Sequence, residues 1–318
     1  KSTELILVND TLWQEFAKES ERRYDDLETW EGLLEVAKEY YEFTGGNAFF
    51  GMDSLENFII IASKSLGLEI FDSENQQALL DEKILKQIFE YYVEGYALGY
   101  FKHSAQFRSD DIRSGAIVAY TGSSASVSYF PSWIEKNGEK MDIIMRALPY
   151  ASFEGTIPYV LSQGAGIAMG KTGAEQEAAA AEFIKYFLEQ DVEFAIKTSY
   201  IPAMQSFFDS TIEEQDELLT EYGVITSNGK EVYHLVMEQI QQDLTYQPDA
   251  FVGSYDIRIE LSKAFQLAAD ASLIKSNELK DTGMELDDIL VALDLEEQFA
   301  NVMQTIRLSL ESKNINYR

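Results

Sequence analysis

Short apolar runs alternate along this chain with longer stretches of helical period, and that alternation restricts the architecture more than any other feature. Leu5-Ile6-Leu7-Val8 reads as a buried strand, and Thr29 is a plausible N-cap for a helix whose apolar positions Trp30, Leu33, Leu34, Ala37, Tyr40 and Tyr41 recur every three or four residues until Gly45-Gly46. The same spacing predicts helices over 54–66, about 75–96, 175–189, 211–222, 230–242, 254 to about 269, and 286–310. Strands are predicted at 116–120, 141–148 and 159–169, with Pro149 and Pro158 bracketing a loop. Short strands among longer helices specify an α/β fold.

The chain has 318 residues, which at about 150 residues per domain suggests two domains. Lys plus Arg number 25 and Asp plus Glu 55, a net charge of −30, which disfavours nucleic acid and anionic membrane surfaces as partners. There is no cysteine, hence no disulfide, thiolate nucleophile or Cys-bound zinc. No run approaches the roughly 18 apolar residues of a membrane span. The chain opens on Lys1-Ser2-Thr3, close to its first strand, so the expectation is that a leader was removed or that the chain begins inside a larger one.

Several strings look chemical. Gly164-Ala165-Gly166-Ile167-Ala168-Met169-Gly170-Lys171-Thr172 approaches a phosphate loop, but the first glycine of that motif belongs at position 165, which is Ala. The spacing matches a Gly-rich strand with close backbone packing or a nearby ligand. Glu231, His234 and Glu238 share a helical face, yet surface pairing at this spacing is far commoner than metal ligation. No metal or cofactor is expected. Gly122-Ser123-Ser124-Ala125-Ser126 lacks the second glycine of a nucleophile elbow, and only His103 and His234 could serve as an imidazole base. The expectation is a protein that is not an enzyme, with a hydrolase of phosphate esters as the alternative from another class.

Taken in order, further strings resemble the family 1 extracellular solute-binding proteins of ABC importers. Ser2-Thr3-Glu4-Leu5-Ile6-Leu7-Val8-Asn9 followed by Thr29-Trp30-Glu31-Gly32 resembles the family's crossing strand and helix start. Ser114 to Ser124 resembles its small-residue strand and turn, and Leu148-Pro149-Tyr150 with Gln163 to Ala168 its return crossing and Gly-rich strand. Ala178 to Phe187 and Thr198-Ser199-Tyr200-Ile201-Pro202 resemble its Ala-rich helix and the turn after it. The resemblance implies a two-lobe, type II periplasmic-binding-protein-like fold with a hinge, in which the first lobe is incomplete. Residues 3–148 would form a second-lobe α/β segment, 149–197 an inserted remnant of the first lobe, and 198–318 a second-lobe helical segment. Hinge bending is expected near Ser2-Thr3, near Leu148-Pro149 and before Tyr200, with apolar surface bared around Val160, Ile167, Phe183 and Phe187. A monomer that delivers a small polar ligand to an ABC permease follows, extracellular or periplasmic and lipid-anchored through a segment upstream of Lys1.

Within the family the turn Ser123-Ser124 and the stretch Phe251-Val252-Gly253-Ser254-Tyr255-Asp256-Ile257-Arg258 look most like the glycerol-3-phosphate-binding branch. The resemblance implies contacts from Ser2, Ser123, Ser124, Gly164, Tyr200 and Arg258, with Tyr255 as a further candidate. The branch's paired Trp positions ahead of Leu55-Glu56-Asn57 fall on Phe49 and Met52, a departure that affects the ligand's non-phosphate end. An oligosaccharide is the alternative ligand. From the residues themselves, Arg258 has no carboxylate at i±3 or i±4, leaving either a tertiary salt bridge or an anionic ligand, which guanidinium suits. Ser123 and Ser124 could equally cap a helix or bind a polyol. Tyr200 is either a packed turn aromatic or a polyol contact. Trp13, Trp30 and Trp133 are expected in the core.

Overall fold

The computed structural model describes residues 1–103, 107–136, 138–242 and 244–318. It divides into a smaller unit, Lys1–Glu4 with Ser123–Phe130 and Val160–Thr245, and a larger one, Leu5–Gly122 with Pro131–Tyr159 and Tyr246–Arg318. The chain therefore passes from one unit to the other at Glu4/Leu5, Gly122/Ser123, Phe130/Pro131, Tyr159/Val160 and Thr245/Tyr246. Leu148 is paired with Ile6 inside the larger unit, and Tyr200 is tied by its N–H to the carbonyl of Ala195 inside the smaller.

A four-stranded sheet runs in the order Phe50–Gly51, Ala119–Ser123, Glu4–Asn9, Met145–Leu148. Glu4–Asn9 is buried at every position, which is why it reads as a continuous apolar run instead of an alternating one. It pairs antiparallel with Met145–Leu148, Ile6 opposite Leu148 and Asn9 opposite Met145. At the end of this strand Asn9 accepts from the Leu12 N–H at 3.1 Å and starts the Asp10–Ser20 helix without an intervening loop. That helix was not expected from the sequence, because no Gly or Pro separates it from the strand.

Where capping and period agree, the expected helices form. Thr29 accepts from the Gly32 N–H and Ser54 from the Asn57 N–H, opening the Trp30–Thr44 and Leu55–Ser65 helices. Trp30 is enclosed by the rings of Phe58 at 5.0 Å, Tyr150 at 5.1 Å and Tyr91 at 5.6 Å. The Glu82–Leu98 and Ser254–Asp281 helices pack through Phe89 and Phe265, whose centroids are 5.1 Å apart.

Other expectations are corrected. The helix expected from residue 75 begins at Glu82, because Asp72 binds the Asn75 N–H and the Gln77 amide and turns the chain into a Phe71–Asp72/Gln77–Ala78 hairpin. The 254–269 helix continues to Asp281, and the 286–310 helix breaks at Asp294, which has φ +50°. The 116–120 strand lies at Ala119–Ser123, and 141–148 is two strands, Glu139–Asp142 and Met145–Leu148. Of the 159–169 strand only Val160–Leu161 forms, and residues 164–173 are exposed and irregular. Trp13 and Trp30 are buried, but Trp133 is 46% exposed, on a hairpin where its ring lies 5.2 Å from the Lys140 ammonium. The Ala174–Glu189 helix has no buried residue, with Phe183 63% exposed; Val160, by contrast, is fully buried.

Candidate functional site

In the smaller unit the first residues of the chain organise most of the expected site. Ser2 and Gln163 exchange backbone hydrogen bonds of 3.0 and 2.9 Å, which places Gly164 beside Lys1. Gly164 has φ +148°, and a Cβ there would lie 3.5 Å from the Lys1 side chain. The Lys1 backbone nitrogen donates to the Ile201 carbonyl at 2.6 Å and the Ile201 N–H returns a 2.7 Å bond to Lys1, holding the Tyr200-Ile201-Pro202 turn at the same place. The Thr3 N–H donates to Ser124 Oγ at 3.2 Å, the Ser124 N–H donates to the Thr3 carbonyl at 2.9 Å, and Thr3 Oγ1 donates to Gln239. Thus Ser2, Ser124, Gly164 and Tyr200, far apart in sequence, are gathered around three residues.

The hydroxyls differ in availability. Ser124 is buried and its oxygen is engaged by the backbone of Thr3, whereas Ser123 is half-buried and caps the Ser124–Tyr129 turn by accepting from the Ala125 N–H. Tyr200 is 37% exposed. Beside them lies a cavity of about 440 Å³ whose polar lining includes Ser2, Ser162, Gln205, Asp209 and Gln241. Sequence reasoning missed the last four, since nothing in their local pattern distinguishes them from ordinary surface residues.

The larger unit holds the remaining candidates at the junction of two helix N-termini. Arg258, in the second turn of Ser254–Asp281, donates through its guanidinium to the side-chain oxygen of buried Asn57, in the first turn of Leu55–Ser65. Among the described residues it makes no ion pair, so the tertiary salt bridge weighed for it does not form. Tyr255 is 73% exposed at the same helix start. Phe49 does not belong to a site: it is fully buried, with its ring 5.4 Å from Tyr40 and 5.9 Å from Trp13, and no solute could reach it in this packed core. Met52 is also buried but lines a cavity of about 520 Å³ with Asp53, Tyr96, His103, Arg108 and Gln266. Burial raises the Asp53 carboxyl above its usual range, although the carboxylate accepts the Arg108 N–H at 3.1 Å. His234 pairs with Asp216 at 2.9 Å instead of sharing a ligand with Glu231 and Glu238.

Residues 1–221 match the model of the bacterial extracellular solute-binding protein family, and the chain belongs to that family. Members of this family are extracellular solute-binding proteins. No curated protein matches the sequence. Among solved structures, UgpB from Mycobacterium tuberculosis in complex with glycerophosphocholine is 16% identical with a TM-score of 0.65, covering 99% of this chain and 70% of that one. The cyclic α-maltosyl-1,6-maltose binding protein of Arthrobacter globiformis is 14% identical at TM-score 0.64, covering 98% and 71%. The sugar-binding protein MalE from Xanthomonas citri is 12% identical at 0.63, covering 96% and 71%. The fold is accordingly that of the two-lobe periplasmic solute-binding proteins, of whose length this chain spans about 70%. Among the described residues no helix is long and apolar enough to cross a membrane.

Proposed function

We propose that this protein captures a small polyol phosphate, a glycerol phosphate or its diester, and delivers it to an ABC permease without chemical conversion. One observation carries the ligand class. Arg258 presents a half-buried guanidinium with no ion pair among the described residues, in a chain of net charge −30 where carboxylate partners are abundant. Retaining a cation without a carboxylate partner in so acidic a chain is explained by an anion supplied from outside. Within the smaller unit, Ser123, Tyr200 and the Ser2–Gly164 backbone carry hydroxyl and amide groups of the kind that hold a polyol. The glycerophosphocholine carried by UgpB supports the same class. Lipid anchoring and a monomeric state belong to the same proposal. So does the reading of 149–197 as a first-lobe insertion.

An oligosaccharide is the second reading, favoured by the exposed Tyr255, whose ring is of the kind that stacks on a pyranose. Calorimetry of the full chain with glycerol 3-phosphate, glycerophosphocholine and maltose decides between them. The phosphate reading expects binding of the first or second and at least about tenfold weaker binding after Arg258→Ala, from the loss of a charged hydrogen bond. Tight maltose binding indifferent to Arg258→Ala would overturn it. Turnover of a phosphate ester by the purified protein would favour a hydrolase instead.

A further inference from the structure

We infer that Asn57 is a positioning residue for the anionic group of the solute, orienting Arg258 through a neutral oxygen so that the cation's charge remains available to the ligand. The inference rests on the phosphate reading above. The carboxylates closest to Arg258 in sequence are both committed elsewhere: Lys313 reaches Asp256 at 2.7 Å and Glu260 at 3.4 Å. The acid next to Asn57, Glu56, accepts the Ser262 hydroxyl at 3.0 Å on one oxygen and the Ser54 hydroxyl at 3.2 Å on the other. The only side-chain hydrogen bond from Arg258 among the described residues therefore goes to an amide carbonyl, although aspartate would have nearly the same shape.

The amide is fixed before any solute arrives. Asn57 is buried, its N–H donates to the helix-capping Ser54 hydroxyl, and it lies on the Leu55–Ser65 helix packed against the helix that carries Arg258. A neutral acceptor satisfies one N–H of the guanidinium and leaves the remaining donors and the net charge for a phosphate, which such a fork binds through parallel hydrogen bonds. A carboxylate at position 57 would form the internal ion pair that this arrangement avoids, and the solute would have to displace it.

The experiment is calorimetry of the full chain with glycerol 3-phosphate, glycerophosphocholine and maltose, on the wild type, Asn57→Asp, Asn57→Ser, Arg258→Ala and the Asn57→Asp/Arg258→Ala double variant, each checked for cooperative melting. The inference expects Asn57→Asp to weaken phosphate binding at least about tenfold. Asn57→Ser, which removes the contact without adding charge, should weaken it less. In the Arg258→Ala background Asn57→Asp should add nothing, a non-additivity that mere loss of packing would not produce. Phosphate binding lost with Arg258→Ala but unchanged in Asn57→Asp overturns the inference and leaves the ligand reading standing. Equal losses from Asn57→Asp in both backgrounds also overturn it. A wild-type chain that binds neither phosphate overturns the ligand reading, and the inference with it. If Asn57→Asp fails to fold, Asn57→Ser decides: unaltered phosphate affinity rejects the positioning role, and a loss that disappears in the Arg258→Ala background upholds it.

Discussion

The guanidinium of Arg108 lies 2.5 Å from the carboxylate of Asp111, three residues further along the same helix, with the two side chains only 5% and 1% exposed. Arg108 also donates to the Lys102 carbonyl at 3.2 Å, and its backbone N–H to Asp53, so one residue ties a short helix to the loop leading into the Leu55–Ser65 helix. Enclosed charges of this kind are costly to separate. Asp111→Asn should destabilise the protein by about 3–5 kcal/mol, because it removes one charge of an enclosed ion pair. An Arg108→Met/Asp111→Leu double variant should lose less than the single change. Urea unfolding of the three proteins checks the order, and an Asp111→Asn midpoint equal to wild type would show that water reaches the pair.

Ser123 and Ser124 should separate into different roles. The Ser124 oxygen accepts the Thr3 N–H inside the protein, so Ser124→Ala strands a buried donor and should cost about 1–3 kcal/mol of stability. Ser123→Ala removes a cap at a half-exposed position, costing about 0.5–2 kcal/mol, and should have the larger effect on solute affinity. Paired thermal melts and calorimetry test this. Unchanged stability in Ser124→Ala would show that its hydroxyl is not structural.

What the sequence disclosed depended on whether the determining interaction was local. Thr29, Ser54 and Thr211 cap their helices from three residues away, and those helices fall within a residue or so of expectation. Asp72, which turns the chain ahead of Gln77, sits among residues that also suit a helix start; only its contacts reveal the hairpin. At the site, Arg258 stood out because it lacked an i±3 or i±4 partner, a statement about spacing. Asn57 is 201 positions away and occurs in a motif whose Leu and Glu drew equal notice, so its role had no signature along the chain. Phe49 shows the converse: a position suggested by resemblance, whose burial against Trp13 and Tyr40 only packing could disclose.

His103 should make stability depend on pH just below neutrality. Burial lowers its pKa from 6.5, with Asp270, 3.3 Å away, opposing the shift and Arg108 adding to it. The folded state therefore prefers the neutral ring. Above the unfolded value both states are neutral and nothing is lost; as pH falls from about 6.5 through the lower folded value, the unfolded chain takes up the proton first and stability declines. His103→Gln keeps a polar side chain and removes the titration. The difference in urea midpoint between wild type and variant should thus move in the variant's favour between pH 7.5 and pH 5.5, which also cancels contributions common to both proteins. A difference that does not change with pH would mean that the ring is solvated.

Gly253 precedes the helix that presents Tyr255 and Arg258, and its backbone has φ +106°, where a side chain is strained. Space is short as well, since a Cβ there would lie 3.1 Å from Cγ1 of Ile315 and 3.3 Å from its Cδ1. Ile315 is buried and follows the Leu295–Ser312 helix, so it has little freedom to yield. Gly253→Ala should therefore cost more than the roughly 1 kcal/mol that a compatible Gly-to-Ala change can gain. Relief of the clash would also turn the first residues of the Ser254–Asp281 helix and move Arg258 relative to Asn57. A Gly253→Ala/Ile315→Ala variant separates the two causes: it removes the close contact but not the dihedral strain. Phosphate affinity restored in the double variant would assign the effect to the Ile315 contact, affinity still depressed would assign it to the backbone, and Gly253→Ala behaving as wild type in both stability and affinity would contradict the conformation itself.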